Sequence, residues 1–250
     1  PSRLEPVSLS GVLNGSVDSI FMQRYLSPRS PYTTLCVPTQ GIGDWCSTKR
    51  TATVDASGIR SHGVSLPDMG GTVTFSIPPT GHDIAFTSLW DNYPDSISVR
   101  VKGRATHAYL LMAGTTNPMQ YDIPNGRLTA HYTDGSTDTL LLTPPYNWCP
   151  IEQDYLDDAA AFPMPQPRPY RVGLSSGIVS RHLSAALGMR EALTAGDIPG
   201  QKTAVREIKG GGGIIIDMPL NPRKRLRSIT LTTLSNEVVM GIMGITLQRP

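Results

Sequence analysis

The sequence predicts an all-β protein, a mainly antiparallel β-sandwich of the jelly-roll type with minor short helices. At least eight strand-like segments are separated by turn signals, and only two segments have the apolar spacing of a helix. The 250 residues include 22 prolines and 24 glycines, and only 17% are charged. This composition is typical of short strands joined by irregular connections rather than of a helical bundle.

The middle of the chain has the clearest strand patterns. Residues 96–102 alternate apolar and polar side chains, as in a strand with one face in a core. Residues 107–113 are nearly all apolar, so we expect a strand that is covered on both faces and lies in the middle of a sheet. Residues 128–133 and 137–143 flank Asp134-Gly135, a tight-turn pair, and this arrangement predicts a β-hairpin.

The N-terminal third contains shorter predicted elements. Residues 7–13 form a plausible first strand, and residues 16–25 have the spacing of a short amphipathic helix that Ser16 or Asp18 could cap. Residues 51–59 read as a strand and a turn. Further strands are predicted at residues 33–38, 72–77 and 84–89.

The C-terminal third predicts one helical segment and several strands. Residues 180–195 read as a helix or helical turns. The four glycines at 210–213 precede an apolar strand pattern and not the Lys-Ser or Lys-Thr of a phosphate-binding loop, so we expect a flexible turn there. Strands are predicted at residues 170–174, 214–218, 228–234 and 238–247.

Length and the first residue bear on domain organisation. We expect one domain over residues 1–250, in which residues 1–60 form an N-terminal extension that packs on a sandwich core of residues 61–250. The chain begins at Pro1 without a methionine and without a basic-then-apolar signal segment. We therefore expect a piece of a multidomain protein or a subunit of an assembly.

Charge and hydropathy exclude two classes of partner. The net charge is +2 and the basic residues are scattered, so the strong positive field of a nucleic-acid binder is absent. No run of about 18 apolar residues occurs, so no membrane span is predicted.

Cysteine and histidine spacing predict no metal site and no cofactor. Cys36, Cys46 and Cys149 match no zinc pattern, and they are either buried thiols or, for Cys36 and Cys46, a disulfide. His107 and His131 lie on strands that we predict to be neighbours, where they could approach each other. No arrangement of residues in the sequence predicts a catalytic constellation.

Two loops combine aromatic rings with carboxylates. The first, residues 90–95, contains Trp90, Asp91 and Tyr93 beside a stiffening proline. Rings can stack on the C–H face of a sugar, and carboxylates and amides can bind its hydroxyls. The alternative is that Trp90 covers one end of the sandwich as a packing residue.

The second loop follows the predicted hairpin and belongs to the longest irregular section. Trp148, Glu152, Asp154 and Tyr155 repeat the combination of rings and acids. These carboxylates could also serve as the acid and nucleophile of a glycosidase, which must lie about 5 to 10 Å apart in a cleft. Calcium binding is a further reading, although the spacing of an EF-hand is absent.

Several long segments resemble one family. They are residues 25–35 (YLSPRSPYTTL), 85–96 (AFTSLWDNYPDS), 108–120 (AYLLMAGTTNPMQ), 132–135 (YTDG), 147–155 (NWCPIEQDY) and 238–247 (VVMGIMGITL). Together they resemble the C-terminal part of large Bacteroidetes proteins with a domain of unknown function called DUF4450. These proteins are similar to glycoside-hydrolase-like polysaccharide-utilisation proteins. The family pattern leads us to expect an aromatic residue after Trp148. This chain has Cys149 there instead.

The resemblance implies a galactose-binding-like β-sandwich beside a catalytic region, in the periplasm or outside the cell. We therefore expect a non-catalytic carbohydrate-binding or structural accessory module. Its expected partners are a polysaccharide or oligosaccharide and a catalytic domain of the same polypeptide or of another subunit. The alternatives are a glycoside hydrolase or polysaccharide lyase that uses carboxylates of residues 152–158, and a purely structural domain that packs on a catalytic domain.

Overall fold

Two antiparallel sheets, one of seven strands and one of four, pack face to face in the computed structural model of the chain. This arrangement confirms the all-β, sandwich-like class predicted from the sequence. The structure describes residues 3–23, 53–66, 72–90, 92–116, 121–154, 167–183, 193–195, 202–204, 208–236 and 238–250.

The elements are short except in the middle and at the end of the chain. The helical elements whose bounds lie within the described residues are a 3-10 turn at Val17–Ser19 and α1 at Ser57–His62. The strands are β1 (Arg3–Val7), β2 (Ser65–Leu66), β3 (Val73–Thr74), β4 (Ala85–Ser88), β5 (Ser96–Gly103), β6 (His107–Thr116), β7 (Gly126–Tyr132), β8 (Thr137–Leu142), β9 (Arg171–Gly173), β10 (Val179–Ser180), β11 (Leu193–Ala195), β12 (Lys202–Ala204), β13 (Gly212–Pro219), β14 (Leu226–Thr233) and β15 (Val238–Arg249).

The seven-stranded sheet, which we name the large sheet, is built around β15 and β6. Its order is β1-β15-β6-β13-β9-β10, and β4 also pairs with β15. Strand β15 pairs with β6 from Val238 opposite Thr116 to Gln248 opposite His107, with a bulge between Ile242 and Gly244. On its other side β15 pairs with β4 near one end and with β1 near the other. Two further pairs, β2-β3 and β11-β12, form separate two-stranded sheets.

The β1–β15 pair ends in a cluster of charges. Arg3 lies opposite Arg249, and the Glu5 carboxylate between them accepts hydrogen bonds from both guanidinium groups. These bonds lower the pKa of the Glu5 carboxyl group to about 2, and the bond from Arg249 has the largest effect. Because β1 belongs to the large sheet, residues 3–7 are part of the sandwich itself.

The four-stranded sheet, which we name the small sheet, has the order β5-β14-β7-β8. Strand β5 alternates exposed and buried residues along its length, as its sequence predicts for a strand with one solvated face. The predicted hairpin is confirmed as β7 and β8. Its turn has positive φ at Gly135 alone, and the Asp134 carboxylate instead accepts the Ser136 amide at 2.9 Å.

The large sheet is covered on both faces. One face packs on the small sheet, and the other lies under the 3-10 turn, α1, β2 and β3. The side chains of β6 alternate between the two cores: Leu110 and Met112 lie between the sheets, whereas Tyr109, Leu111 and Ala113 lie on the opposite face. The prediction of a central strand covered on both faces at residues 107–113 is therefore confirmed.

Several predictions for the N-terminal third are wrong. Residues 8–13 are not part of β1 but form a turn after it, in which the amides of Val12 and Leu13 donate hydrogen bonds to the Leu9 carbonyl. Residues 16–23, the described part of the helix predicted at 16–25, contain one 3-10 turn without a side-chain cap. The Asp83 carboxylate accepts the Val17 amide of this turn at 2.8 Å. The strand and turn predicted at residues 51–59 run into α1, which occupies Ser57–His62. The strand predicted at 72–77 has only the two residues of β3.

The C-terminal third differs at two places. Of the helix predicted at residues 180–195, Ser180 belongs to β10 and residues 193–195 form β11, whereas Leu183 is helical. Residues 184–192 of that prediction lie outside the described residues. In the glycine run, Gly210 and Gly211 have positive φ and form the predicted turn, whereas Gly212 and Gly213 belong to β13. The closing strands at residues 214–218, 228–234 and 238–247 are confirmed as β13, β14 and β15.

The predicted contact between two histidines does not form in a shared sheet. His107 lies on β6 of the large sheet and His131 on β7 of the small sheet. His107 instead stacks on Tyr109 and its Nδ1 lies 2.6 Å from an Asp217 carboxylate oxygen. The Cys149 side chain is buried, and its thiol donates a hydrogen bond to the Gln153 carbonyl at 3.4 Å.

Some predictions concern residues that the structure does not describe. The strand predicted at residues 33–38, Cys36 and Cys46 lie outside the part that the structure describes. Within that part, no helix has the length and apolar character needed to cross a membrane.

Gly114 tests the packing of β6 against β15. A Cβ at this position would lie 2.3 Å from the Val239 carbonyl oxygen and 2.9 Å from the Trp148 ring, and the backbone contact has no room to relax. We expect Gly114→Ala to lower the free energy of unfolding by about 1–3 kcal/mol, as overpacked cores do. Gly11→Ala, where nothing lies within 4 Å of the added atom, is the control and should change it by under about 0.5 kcal/mol. Equal effects in urea unfolding would contradict this packing.

Candidate functional site

The first candidate loop turns its tryptophan into the protein. The Trp90 side chain is fully buried, and its indole N–H donates a hydrogen bond to the Asn236 carbonyl at 2.6 Å. Its backbone amide donates to the Ser88 hydroxyl at 3.0 Å. The ring belongs to the core on the large-sheet face away from the small sheet. Trp90 therefore presents no ring face to solvent.

The tyrosine of the same loop is also internal. Tyr93 is buried, and its ring centroid lies 4.9 Å from that of Phe86. Burial raises the pKa of the Tyr93 hydroxyl, and a hydrogen bond with Gln23 partly opposes this effect. Asp91, the third candidate of this loop, lies outside the described residues.

The second candidate loop places its tryptophan between the sheets. The Trp148 side chain is fully buried in the intersheet core, where it lies against Gly114. Its indole N–H has no hydrogen-bond partner within the described ranges. An unsatisfied buried donor costs free energy, so apolar packing must hold this ring in place.

The two candidate tryptophans lie on opposite faces of the large sheet. Trp90 belongs to one core and Trp148 to the other, and strands of the large sheet separate them. A ligand cannot stack on both rings at once. The two loops that the sequence groups into one contact set are therefore two separate packing regions.

A buried arginine that the sequence analysis did not single out organises the second loop. The Arg171 side chain is fully buried, and its guanidinium donates hydrogen bonds to four backbone carbonyls. The acceptors are Gly213 at 2.9 Å, Gln153 at 2.9 Å, Pro150 at 2.9 Å and Gly212 at 3.0 Å. Two acceptors lie on the loop and two on β13, so Arg171 joins the loop to the large sheet.

Asp154 neutralises this arginine. Its carboxylate lies 4.0 Å from the guanidinium, and the residue is only 4% exposed. Glu152 is half-buried, and its backbone carbonyl accepts the Ile208 amide at 2.9 Å. Tyr155 lies outside the described residues. A catalytic carboxyl group must reach its substrate, whereas Asp154 is positioned to reach Arg171.

A pocket of about 310 Å³ opens beside the second loop, near the edge of β8. The Arg181 guanidinium lies over the Tyr170 ring, 4.0 Å from its centroid, and Arg168, Asp217 and Asn147 also line the pocket. These residues are distributed over four separate segments, so no single sequence motif marks them. The one local signal is the alternation of arginine, proline and tyrosine at 168–171.

Comparison with known proteins assigns no family. A scan against protein-family models gives no match, and a search of curated proteins gives none either. Among the residues that the structure describes, no group of three or more histidine, cysteine, aspartate or glutamate side chains is placed to hold a metal ion.

The two tryptophans form a matched pair for a stability test. Trp90→Phe removes ring volume and a hydrogen bond, whereas Trp148→Phe removes ring volume and an unsatisfied donor. We expect both variants to be destabilised, and Trp90→Phe to lose about 0.5–1.5 kcal/mol more, because it also removes the hydrogen bond from the Trp90 indole to the Asn236 carbonyl. Chemical denaturation followed by circular dichroism measures the difference. An equal or reversed order would show that the hydrogen bond to Asn236 contributes nothing.

Arg171 should be essential for stability. Arg171→Met removes the side-chain donor of four carbonyl groups and the guanidinium that lies 4.0 Å from the buried Asp154 carboxylate. We expect the free energy of unfolding to fall by about 3–5 kcal/mol, as when one partner of a buried ion pair is removed. Arg223→Met, at an exposed turn position, is the control and should be nearly neutral. A loss below about 1 kcal/mol for Arg171→Met would contradict the role assigned to this arginine.

Proposed function

We propose that this chain is a non-catalytic accessory module of a bacterial polysaccharide-degrading protein, and that its two aromatic loops serve its structure. The observation that carries the proposal is the buried pair of Arg171 and Asp154. A hydrolase or lyase would need two carboxylates. In this chain one of them, Asp154, serves instead as an internal counter-ion.

The position of the rings supports the structural role over sugar stacking at these loops. A stacking platform needs an exposed ring face, and the side chains of Trp90, Trp148 and Tyr93 are all buried. Truncation of these side chains should therefore lower the free energy of unfolding, and not primarily the affinity for a ligand. Contact with a polysaccharide, if this module makes it, must use another surface.

The setting of the module is proposed from the resemblance of its motifs. In that setting the partner is a catalytic domain of the same polypeptide or of another subunit, in the periplasm or outside the cell. A sandwich whose large sheet packs in a hydrophobic core on each face suits such a role, because burial of apolar side chains stabilises the domain.

Assays on a panel of acidic and neutral polysaccharides test the proposal. We expect no release of reducing ends and no ultraviolet absorbance from unsaturated products, because Asp154 is committed to Arg171. Glu152→Gln should behave like the unaltered protein, and Asp122→Asn, a change at an exposed turn, is the matched control. Turnover that Glu152→Gln abolishes and Asp122→Asn preserves would replace this proposal with the hydrolase or lyase alternative.

A further inference from the structure

The outer face of the small sheet is an ordered array of hydroxyl groups. Pairing places Ser98 on β5, Thr230 on β14, Thr129 on β7 and Thr139 on β8 in one row across the sheet. The Ser98 and Thr230 hydroxyls are 2.6 Å apart. Strands lie ~4.8 Å apart, so this row is about 14 Å long. Each hydroxyl can both donate and accept a hydrogen bond.

The same face carries positive charge and no negative charge. Arg100 and Lys102 project from β5, and Arg127 projects from β7. Across the described residues none of these three side chains forms an ion pair. The one acid in the four strands, Asp138, turns inward and accepts the Tyr132 hydroxyl at 2.6 Å. Solvated protein surfaces usually mix both signs of charge, and this face does not.

We propose that the outer face of the small sheet is the docking surface for an acidic polysaccharide, one with carboxylate or sulfate groups. This inference rests on the proposed accessory function and names its ligand class. The arginines and the lysine would pair with the acid groups of the polymer. The hydroxyl row would exchange hydrogen bonds with the sugar hydroxyls between them.

The chemistry of the face favours a polysaccharide over the other polyanions. Single-stranded nucleic acids bind through aromatic rings on which their bases stack, and no outward-facing residue of β5, β14, β7 or β8 is aromatic apart from the imidazole of His131. A second copy of the chain would bring like charges together, which opposes self-association through this face.

A charge-removal pair tests the surface. Arg100→Gln combined with Arg127→Gln keeps the first two methylenes of each side chain and removes two charges. Lys209→Gln removes an exposed charge from the turn before β13, where the neighbouring Gly210 pairs with Val54 on the other side of the large sheet. Affinity electrophoresis in polygalacturonate, in dextran sulfate and in neutral galactan measures binding, with an oligo-thymidine strand as the nucleic-acid probe.

We expect the unaltered protein to bind one of the two acidic polymers and to bind neutral galactan and oligo-thymidine more weakly. The double variant should bind the acidic polymer at least about tenfold more weakly, and Lys209→Gln should bind like the unaltered protein. If the double variant fails to fold, the salt dependence of the unaltered protein still tests the charge, since raising salt from about 0.05 M to about 0.5 M should weaken binding.

Four results would overturn the inference and leave the proposed function standing. They are tighter binding to galactan, tighter binding to oligo-thymidine, no binding to either acidic polymer, and acidic-polymer binding that the double variant retains. In the last case Arg181→Gln, which alters the pocket beside Tyr170, shows whether the pocket is the site instead. Catalytic turnover, by contrast, would refute the proposed function without bearing on the charged face.

Discussion

The fold depends on how a positive charge is held inside the sandwich. Burying a guanidinium is costly, and the cost is offset only when its donors and its charge are all matched. Arg171 meets this condition with four carbonyls and Asp154. The arrangement needs small residues nearby: a Cβ at Gly212 would lie 3.0 Å from the guanidinium. The glycine run thus makes room for the charge, and the loop held by that charge carries Trp148 into the core.

The two sheets differ in their exposure to solvent. The large sheet is hidden on both sides, so its sequence is nearly continuous in apolar residues and offers little chemistry to a partner. The small sheet has one solvated face, and there the side chains are free of packing constraints. Hydroxyl and basic residues on that face are therefore informative about partners in a way that the buried aromatic rings are not.

The parts of the fold that local patterns determine could be predicted from the sequence. Local patterns predict the alternation in β5, the apolar run of β6 and the hairpin of β7 and β8. In each case the residues of the segment itself indicate which of its faces are buried. The candidate site could not be predicted in this way. An indole ring in a loop has the same local sequence whether it faces solvent or a core, and only distant partners such as Asn236 and Gly114 decide between them. The burial of Arg171 could not be predicted either, because its hydrogen-bond acceptors are backbone carbonyls, which any sequence supplies.

The pairing of β1 with β15 has a mechanical consequence. The strands are antiparallel and Arg3 lies opposite Arg249, so a pulling force applied at these two residues acts at the same end of one ladder. Such a force loads the hydrogen bonds one after another instead of shearing them together. Strand β1 should peel from the edge at low force, beginning with the ion pairs of Glu5, while β15 stays anchored between β4 and β6. Under tension the sandwich would lengthen by its first strand long before its core opened.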